Sequence, residues 1–326
     1  MILIYLFRSS KIDCLLDGLK SDYGNRTFYT LLPSFSNCHL CYFLYILLNI
    51  HPLKVKFYGA RGSLPVCRRE FERYGGNTTC IRLLREQANR VAIFDAGTGI
   101  RKLGKELMNE GLDQKLVNIA FSHFHWDHIQ GFPFFAPAYK VGQRIGILAP
   151  GRKGKITDLK GIFSIPLQQE YFPVPLERMG ASFEFYAYGE EETIYGAYLK
   201  SISQHHIYPG GSYGFRVHDE GKSLVICTDI EHIDGIDQKI VEFARNADLL
   251  IHDGQFTTEE YTKFKGWGHS SWEQAVEVAV QANVKKLIIT HHDPDHNDDF
   301  LDSLEIQCQK LFPNSLFAKE ELEVVV

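Results

Sequence analysis

From Leu53 onward, short apolar runs alternate with glycine and polar residues, and this pattern predicts β-strands. KVKFYG, VAIFDAGTG and LVNIAFSH, and later SLVICTD, ADLLIHDG and KKLIITHH, each pass from apolar residues into a polar or glycine-containing turn. Between these runs, helical spacing of apolar residues predicts helices at Ile100–Asn109, Gln238–Asn246 and Trp272–Ala282. The start of the last helix carries two overlapping capping-box patterns, Ser270 with Glu273 and Ser271 with Gln274. The pattern therefore predicts one domain of mixed strands and helices.

Residues 1–53 follow a different pattern. Positions 27–53 contain no Lys, Arg, Asp or Glu, and Leu40–Ile50 is almost entirely apolar. This run of about 11 residues is shorter than the roughly 20 that span a bilayer, and no small-residue cleavage site follows it. Three interpretations stay open: a membrane-associated segment, a packed extension, or translated sequence outside the working protein. We favour a dispensable N-terminal extension over residues 1–53 and a single domain over residues 54–326.

Composition and charge narrow the choice of class. The chain has 326 residues, of which 44% are hydrophobic and 23% charged, so it contains ample material for a core. Its net charge of −5 argues against a broad basic surface for nucleic acid. Seven cysteines without regular pairing suit a reducing compartment, and we expect a cytoplasmic protein. Cys38 and Cys41 form a C-x-x-C, but no second pair follows at zinc-finger spacing.

The stretch SHFHWDHIQG concentrates three histidines and an aspartate at positions 123–128. If the preceding strand continued into this stretch, His123 and His125 would project to the same side and converge on one ion. Asp127 and His128 would then be free to bind a second ion, because imidazole and carboxylate suit Zn²⁺ and similar metals. Two ions need more ligands, and the ends of later strands offer them: His205 or His206 in SISQHH, Asp229 in LVICTD, and His291 or His292 in LIITHH.

In this order the motifs resemble those of the metallo-β-lactamase fold superfamily of metal-dependent hydrolases. Finer blocks are similar to its phosphodiesterase branch, which includes ribonuclease Z and bacterial cyclic-nucleotide or cyclic-phosphate phosphodiesterases. These blocks are FYGARGSLP, YGGNTTC, DAGTGIRKLG, PGGSYGFR, TDIE and GWGHSS. The resemblance covers residues 54–326. It implies an α+β fold, namely an αββα four-layer sandwich in which two sheets face each other, helices lie outside and metals lie at one edge.

The resemblance also implies a ligand set for two divalent ions, which we expect to be Zn²⁺, with Mn²⁺ or Fe²⁺ as alternatives. The implied ligands are His123, His125 and His206 for one ion, Asp127, His128 and His291 for the other, and Asp229 as a bridge. The chain departs from the family pattern at HHIYPGGS, where Ile207 and Tyr208 separate the histidines from the turn. We choose His206 over His205 because it is nearer the turn. We choose His291 over His292 because it directly follows the last strand residue.

Other residues receive catalytic or supporting roles. Two cations lower the pKa of a bridging water toward about 7, which supplies hydroxide for attack on phosphorus; Asp127 would orient or deprotonate this nucleophile. The resemblance assigns His269 in GHSS as a catalytic helper that protonates the leaving oxygen, and Asp253 can orient it. Asp95 is expected to brace the histidine-rich loop. Asn77 and Thr78 in YGGNTT suit a tight turn and substrate contact equally, and we assign them, with His269, to substrate binding.

We therefore expect a metal-dependent phosphodiesterase that acts on cyclic or short phosphodiesters or on nucleotides, and a homodimer stays open. One alternative is a tRNA 3′-end-processing endoribonuclease of the ribonuclease Z type, which would need many phosphate contacts. The irregular segment from Gly151 to Gly189, expected as an insertion or lid, supplies only a small basic group at its start: Arg152, Lys153, Lys155 and Lys160. A second alternative is a non-catalytic metal- or nucleotide-binding sensor. Long nucleic acid and membranes are not expected as partners, except for a membrane at residues 27–53.

Overall fold

The structure is a computed structural model that describes residues 53–84, 90–112, 116–194, 197–219 and 221–326. Predictions for residues 1–52, including the apolar run and the Cys38–Cys41 pair, lie outside the described residues, and the domain boundary stays a prediction. The strands are β1 Lys54–Gly59, β2 Cys80–Leu84, β3 Arg90–Phe94, β4 Leu116–Ala120, β5 Arg144–Ala149, β6 Ser182–Ala187, β7 Glu191–Ile194, β8 Ala197–His206, β9 Tyr208–Asp219, β10 Lys222–Cys227, β11 Leu249–Asp253, β12 Leu287–Thr290, β13 Ser315–Phe317 and β14 Glu323–Val325. The described α-helices are α1 Ile100–Glu110, α2 Trp126–Ile129, α3 Leu159–Ser164, α4 Gln238–Ala244, α5 Thr258–Phe264, α6 Trp272–Gln281 and α7 Asp298–Leu311.

The strands form two seven-stranded sheets. Their orders are β14-β1-β2-β3-β4-β5-β6 and β13-β12-β11-β10-β9-β8-β7. In the first sheet β3 to β6 pair in parallel, and in the second β10 to β13 do so. Parallel neighbours require crossover connections, and α1, α4, α6 and α7 lie in these connections. The carboxyl ends of parallel strands share one edge of each sheet, which is where ligand-binding loops collect in such folds.

Alternating burial along the strands produces the layers. In β11, Leu249 and Ile251 pack between the sheets, whereas Leu250 packs against the helices outside the second sheet. Phe94 of the first sheet meets Phe215 of the second with ring centroids 5.5 Å apart. Outside the first sheet, the apolar face of α1 packs on β3, β4 and β5. The result is a helix–sheet–sheet–helix sandwich, which confirms the predicted αββα fold class.

The elements predicted from the apolar pattern are present with small shifts at their ends. The predicted helix at 272–282 ends at Gln281, and its capping box is formed by Ser271 and Gln274. The hydroxyl of Ser270 donates instead to the carbonyl of Ile230 at 2.6 Å, so the second predicted box does not form. Across the described part of the chain, no helix has both the length and the apolar character to cross a membrane.

Candidate metal centre

Three residues at the carboxyl ends of strands adopt a left-handed backbone. Asp95 after β3, Asp229 after β10 and His291 after β12 have φ values of 59°, 56° and 63°. This region costs an L-residue with a Cβ roughly 1–2 kcal/mol, and such strain tends to concentrate at functional sites. The sharp change of direction ends each strand and leaves all three side chains buried. At this edge of the two sheets, the strands therefore end in buried polar residues with a strained backbone.

Asp95 organises the loop that carries the histidine-rich motif. Its Oδ1 accepts from the Ser122 amide (2.8 Å), and its Oδ2 accepts from the Ser122 hydroxyl (2.8 Å) and from His128 Nδ1 (3.0 Å). β4 ends at Ala120, so His123 and His125 do not lie on a strand. The prediction that strand alternation aligns these two side chains is therefore wrong. A loop and the four-residue helix α2 position these side chains instead, because the chain leaves the sheet two residues before the motif begins.

A first cluster consists of His123, His125 and His206, whose candidate ligand atoms lie within 4.8 Å of one another. His206 Nδ1 is 2.7 Å from the carbonyl oxygen of Gly268, which can only accept, so Nδ1 carries the proton and Nε2 keeps its lone pair. That Nε2 lies 3.0 Å from His125 Nδ1. His123 Nε2 is buried without a hydrogen-bond partner. The structure thus brings His206, and not His205, into this cluster.

A second cluster is fully buried and consists of Asp127, His128, Asp229 and His291. His291 Nε2 lies 3.2 Å from Asp127 Oδ2 and 3.2 Å from Asp229 Oδ1. His128 Nε2 lies 3.2 Å from Asp229 Oδ2. Asp229 Oδ1 is also 3.7 Å from His123 Nε2 and 3.9 Å from His206 Nε2. The Asp229 carboxylate therefore lies between the two clusters and within reach of both.

In the second cluster, the carboxylates and imidazoles shift one another's pKa values and offset the effect of burial. Burial alone would raise the pKa of Asp127 and Asp229, but the neighbouring imidazoles, His128 first among them, hold both below their usual range. Burial alone would lower the pKa of His291, but Asp229 and Asp127 raise it to about 9. In the first cluster, burial lowers the pKa of His123 well below its usual value. The first cluster thus offers neutral imidazoles and the second adds two carboxylates.

These donors fit divalent cations. Neutral imidazole nitrogens and carboxylates are the ligands that Zn²⁺ and similar ions prefer, and several converge here within contact distance. The buried Nε2 of His123 has no hydrogen-bond partner, which is costly for a polar atom unless something binds it. Asp95 fixes Nδ1 of His128 and the Gly268 carbonyl fixes Nδ1 of His206, an arrangement that orients metal-binding histidines. The residues present are therefore suited to hold metal.

His269 lies beside both clusters and is paired with Asp253. Its Nδ1 is 2.9 Å from Asp253 Oδ2, and its ring stacks on that of His291 with centroids 4.8 Å apart. Asp253 Oδ1 accepts from the amides of Gln255 (3.1 Å) and Ser270 (3.0 Å), so the carboxylate is fixed. Burial would raise the pKa of Asp253, but His269 lowers it. Asp253 thus accepts from His269 Nδ1 and fixes the orientation of the imidazole ring.

The other predicted residues lie outside the clusters. His292 Nε2 donates to the carbonyl of Ala318 (2.8 Å), and the ring stacks on Phe317. Thr78 is fully buried, and its hydroxyl donates to the carbonyl of Asp127 (2.7 Å), which indicates a supporting role. Asn77 donates through its side chain to Glu320 Oε1 (3.0 Å). A substrate contact by Asn77 stays a prediction.

Sequence reasoning did not identify several residues that complete the centre. Gln255 Oε1 accepts from His291 Nδ1 (3.0 Å), and the backbone amide of Ser63 donates to Asp127 Oδ2 (2.8 Å). The Glu231 carboxylate accepts from the amides of Gly266 (2.5 Å) and Gly268 (2.9 Å). Ser63 and Glu231 lie in FYGARGS and TDIE, two blocks that carry the resemblance to the family, so these residues could have been identified from the sequence. No sequence motif indicated Gln255.

Comparisons with known proteins show which family the chain is similar to. The family model described as "Beta-lactamase superfamily domain" matches residues 90–292. Ribonuclease Z of Gemmatimonas aurantiaca is 25% identical over 320 residues, which cover 84% of this chain and 96% of that protein. Ribonuclease Z of Picrophilus torridus is 26% identical over 310 residues, which cover 83% and 94%. The family match spans both clusters.

Solved structures share the fold. Zn²⁺-bound PqqB from Methylobacterium extorquens matches with a TM-score of 0.63 at 14% identity, over 84% of this chain and 100% of that chain. A diphosphatase from the PhnP family matches at 0.59 and 17%, over 84% and 98%. The short form of human tRNase Z matches at 0.58 and 19%, over 84% and 99%. At such identities these likenesses show the fold alone.

Proposed function

Because the chain belongs to the beta-lactamase superfamily, we propose that it is a dinuclear metal-dependent phosphodiesterase that acts on cyclic or short phosphodiesters. The observation that supports this most directly is the position of Asp229. Its carboxylate lies 3.2 Å from His291 Nε2 in one cluster and 3.7 Å from His123 Nε2 in the other. A carboxylate shared by two ligand groups is what a pair of cations separated by about 3.5–4 Å requires.

In this proposal the clusters divide the ligands of two ions. His123, His125 and His206 hold one ion, Asp127, His128 and His291 hold the other, and Asp229 is shared. We expect Zn²⁺, with Mn²⁺ or Fe²⁺ as alternatives, because imidazole and carboxylate donors accept each of them. When bound, such a pair supplies a water of lowered pKa and neutralises charge on the phosphate.

The chain itself supplies the proton transfers. Asp253 fixes His269 through Nδ1, so we assign His269 Nε2 to protonate the leaving oxygen. A positioned general acid typically contributes about 10²- to 10⁴-fold in rate. Asp127 uses Oδ2 for its contacts with Ser63, His128 and His291, and we assign its Oδ1 to orient or deprotonate the nucleophile.

A tRNA-processing endoribonuclease is the second candidate, because the relatives named ribonuclease Z match over most of both chains. The basic group that would hold RNA is small, however, and leaves three exposed lysines, Lys153, Lys155 and Lys160. Arg152 is buried, Lys155 donates to the Tyr213 hydroxyl (2.8 Å), and Lys160 pairs with Glu177 at 3.2 Å. Affinity for long RNA depends on many exposed phosphate contacts, so these positions favour a small substrate.

The test is turnover of bis-p-nitrophenyl phosphate and of a precursor tRNA by metal-replete protein, with the metal content measured by elemental analysis. We compare wild type with His123→Ala, His269→Ala and His218→Ala, the last being an exposed histidine on β9. His123→Ala should lose metal and turnover together. His269→Ala should keep about two metals per chain and lose roughly 10²- to 10⁴-fold in kcat. His218→Ala should behave as wild type.

The outcomes separate the candidates. Efficient cleavage of the precursor tRNA at its 3′ side, with poor diester turnover, would replace our proposal with the ribonuclease. Two bound metals without turnover of either substrate would indicate a sensor. A protein that binds less than one metal per chain would overturn the dinuclear assignment.

A further inference from the structure

Two of the three tryptophans in the chain are exposed next to the metal centre. Trp126 is 65% exposed and follows His125 directly, and Trp267 is 61% exposed and lies two residues before His269. Trp272, in contrast, is 4% exposed. An indole ring in water forgoes the favourable burial of a large apolar surface. Two such rings beside one site therefore suggest a surface that a ligand covers.

Contacts around His206 bring the exposed residues to one side of the centre. His206 Nε2 lies 3.0 Å from His125 Nδ1, and Nδ1 of the same ring contacts the Gly268 carbonyl. The segments that contain Trp126, Trp267 and Tyr208 consequently meet at one imidazole. Tyr208 is 59% exposed, and His125 itself is exposed. We call Trp126, Tyr208 and Trp267 the aromatic rim, because each lies within two residues of His125, His206 or Gly268, which contact one another at the first cluster.

Trp267 is presented by a rigid turn. Buried Glu231 accepts from the amides of both its neighbours, Gly266 and Gly268, and the two glycines have φ values of 92° and 90°. The ring also contacts Phe264 edge-on, with centroids 5.1 Å apart. An aromatic side chain held in place before binding loses little entropy when a ligand packs on it. This exposure is therefore built into the fold.

We propose that Trp126 and Trp267 bind a planar aromatic group of the substrate, a nucleobase joined to the scissile phosphodiester, and so determine substrate specificity. The inference rests on the proposed function, because the phosphodiester must lie at the clusters for the base to reach the rim. Indole faces stack on any nucleobase, whereas they gain little from an alkyl ester. Glu231 is a positioning residue that acts through Trp267.

The experiment compares two chromogenic diesters that share a leaving group. Thymidine 5′-(p-nitrophenyl phosphate) carries a base, and methyl p-nitrophenyl phosphate does not. Wild type should prefer the first by roughly ten- to a hundredfold in kcat/KM, the range that base stacking on an aromatic ring provides. Trp126→Ala and Trp267→Ala should each reduce this preference, mainly by raising the KM for the thymidine diester. Tyr198→Ala, an exposed aromatic residue eight positions from His206 on β8 and about 26 Å away, is the matched control.

A second readout does not depend on turnover. Since the third tryptophan is buried, much of the quenchable emission should come from the rim, and thymidine 5′-monophosphate should quench it more strongly than ribose 5-phosphate does. Each tryptophan variant should weaken this quenching, and Glu231→Gln should weaken the part that comes from Trp267. Trp267→Phe should restore part of the base preference, because a flat ring remains.

The outcomes distinguish a failure of the proposed function from a failure of this inference alone. If wild type hydrolyses neither diester, the proposed function fails, and this inference fails with it. If wild type hydrolyses both diesters equally, or if the tryptophan variants keep the preference and the quenching, the rim does not bind the base although the proposed function stands. A change of the sedimentation coefficient in the variants, without a change in preference, would identify the rim as a contact between two copies of the chain and would overturn the inference.

Discussion

Replacing Asp95 with asparagine tests how the fold prepares a metal ligand. Asp95 does not lie in either cluster, yet it accepts three hydrogen bonds, two from Ser122 and one from His128 Nδ1. Asparagine keeps the size of the side chain but replaces one acceptor oxygen with an NH₂ group. Whichever way the amide is turned, NH₂ faces either the Ser122 amide or His128 Nδ1–H. One buried donor is then left without an acceptor.

The magnitude follows from these contacts. A buried polar group without a partner costs about 1–3 kcal/mol, so the metal-free protein should lose that much unfolding free energy. His128 can avoid the conflict by moving its proton from Nδ1 to Nε2, but Nε2 is the atom that faces Asp229 and the second cluster. That tautomer cannot bind metal through Nε2. Loss of such an orienting partner typically reduces metal affinity by about 10- to 100-fold.

Two measurements separate the effects: urea unfolding of the metal-free protein, and Zn²⁺ affinity by competition with a chromophoric chelator. Asp248→Asn is the control, because Asp248 also accepts from the amide (2.9 Å) and hydroxyl (3.2 Å) of one serine, Ser223, although both bonds go to its Oδ2 and its Oδ1 accepts from Lys285 (2.7 Å). Asp248 lies just before β11 and far from its metal-side end, so its variant should leave the metal affinity unchanged. A Zn²⁺ affinity within about threefold of wild type in Asp95→Asn would refute the tautomer argument.

Three further predictions follow from buried contacts. A Cβ on Gly62 would overlap His291 Nδ1 and Gln255, so Gly62→Ala should remove metal from the second cluster, whereas Gly142→Ala, where a Cβ meets nothing within 4 Å, should keep full metal content on elemental analysis. Arg152→Gln removes a buried hydrogen bond to the Ser122 carbonyl (2.8 Å) and should cost about 2 kcal/mol in urea unfolding, whereas exposed Lys153→Gln should cost almost nothing. Burial, with a smaller effect from His252, lowers the pKa of His232 to about 3. Because the unfolded chain binds this proton below about pH 6.5, wild type should lose unfolding free energy more steeply than His232→Phe as the pH falls from 6.5 toward 3, and equal slopes would contradict the assignment.

The fold was largely predictable because most of its strands are short apolar runs that end in turns. The apolar runs at β1, β3, β4, β10, β11 and β12 are short, rich in β-branched residues and followed by turns. The segment from Gly151 to Gly189 was expected as an irregular insertion or lid, yet it contributes strand β6 to the first sheet. Its prolines and aromatic residues obscure the alternation there. β6 is held by pairing with β5, a long-range contact that a local pattern does not contain.

The candidate site was predictable as a set of motifs but not as geometry. Choosing between His205 and His206 requires the face of β8 on which each lies: Gln204 and His206 are buried on one face, and His205 lies on the other. His291 and His292 differ in the same way, because the left-handed backbone of His291 separates two neighbouring rings. Gln255 reaches His291 only because β11 and β12 pair in parallel. Such contacts depend on register, which the sequence motifs do not encode.

Arg152 shows why a basic stretch of sequence does not establish a nucleic-acid surface. Its guanidinium lies 4.2 Å from the centre of the Tyr213 ring and donates to the Ser122 carbonyl, and burial lowers its pKa to about 10. A buried cation in this position holds the loop that begins at Ser122 and carries the first cluster. It cannot contact a phosphate in solvent. Polyanion affinity depends on exposed charge, not on charge along the chain. Arg152 therefore supports the metal centre, and the proposed aromatic rim is the better place to look for substrate selectivity.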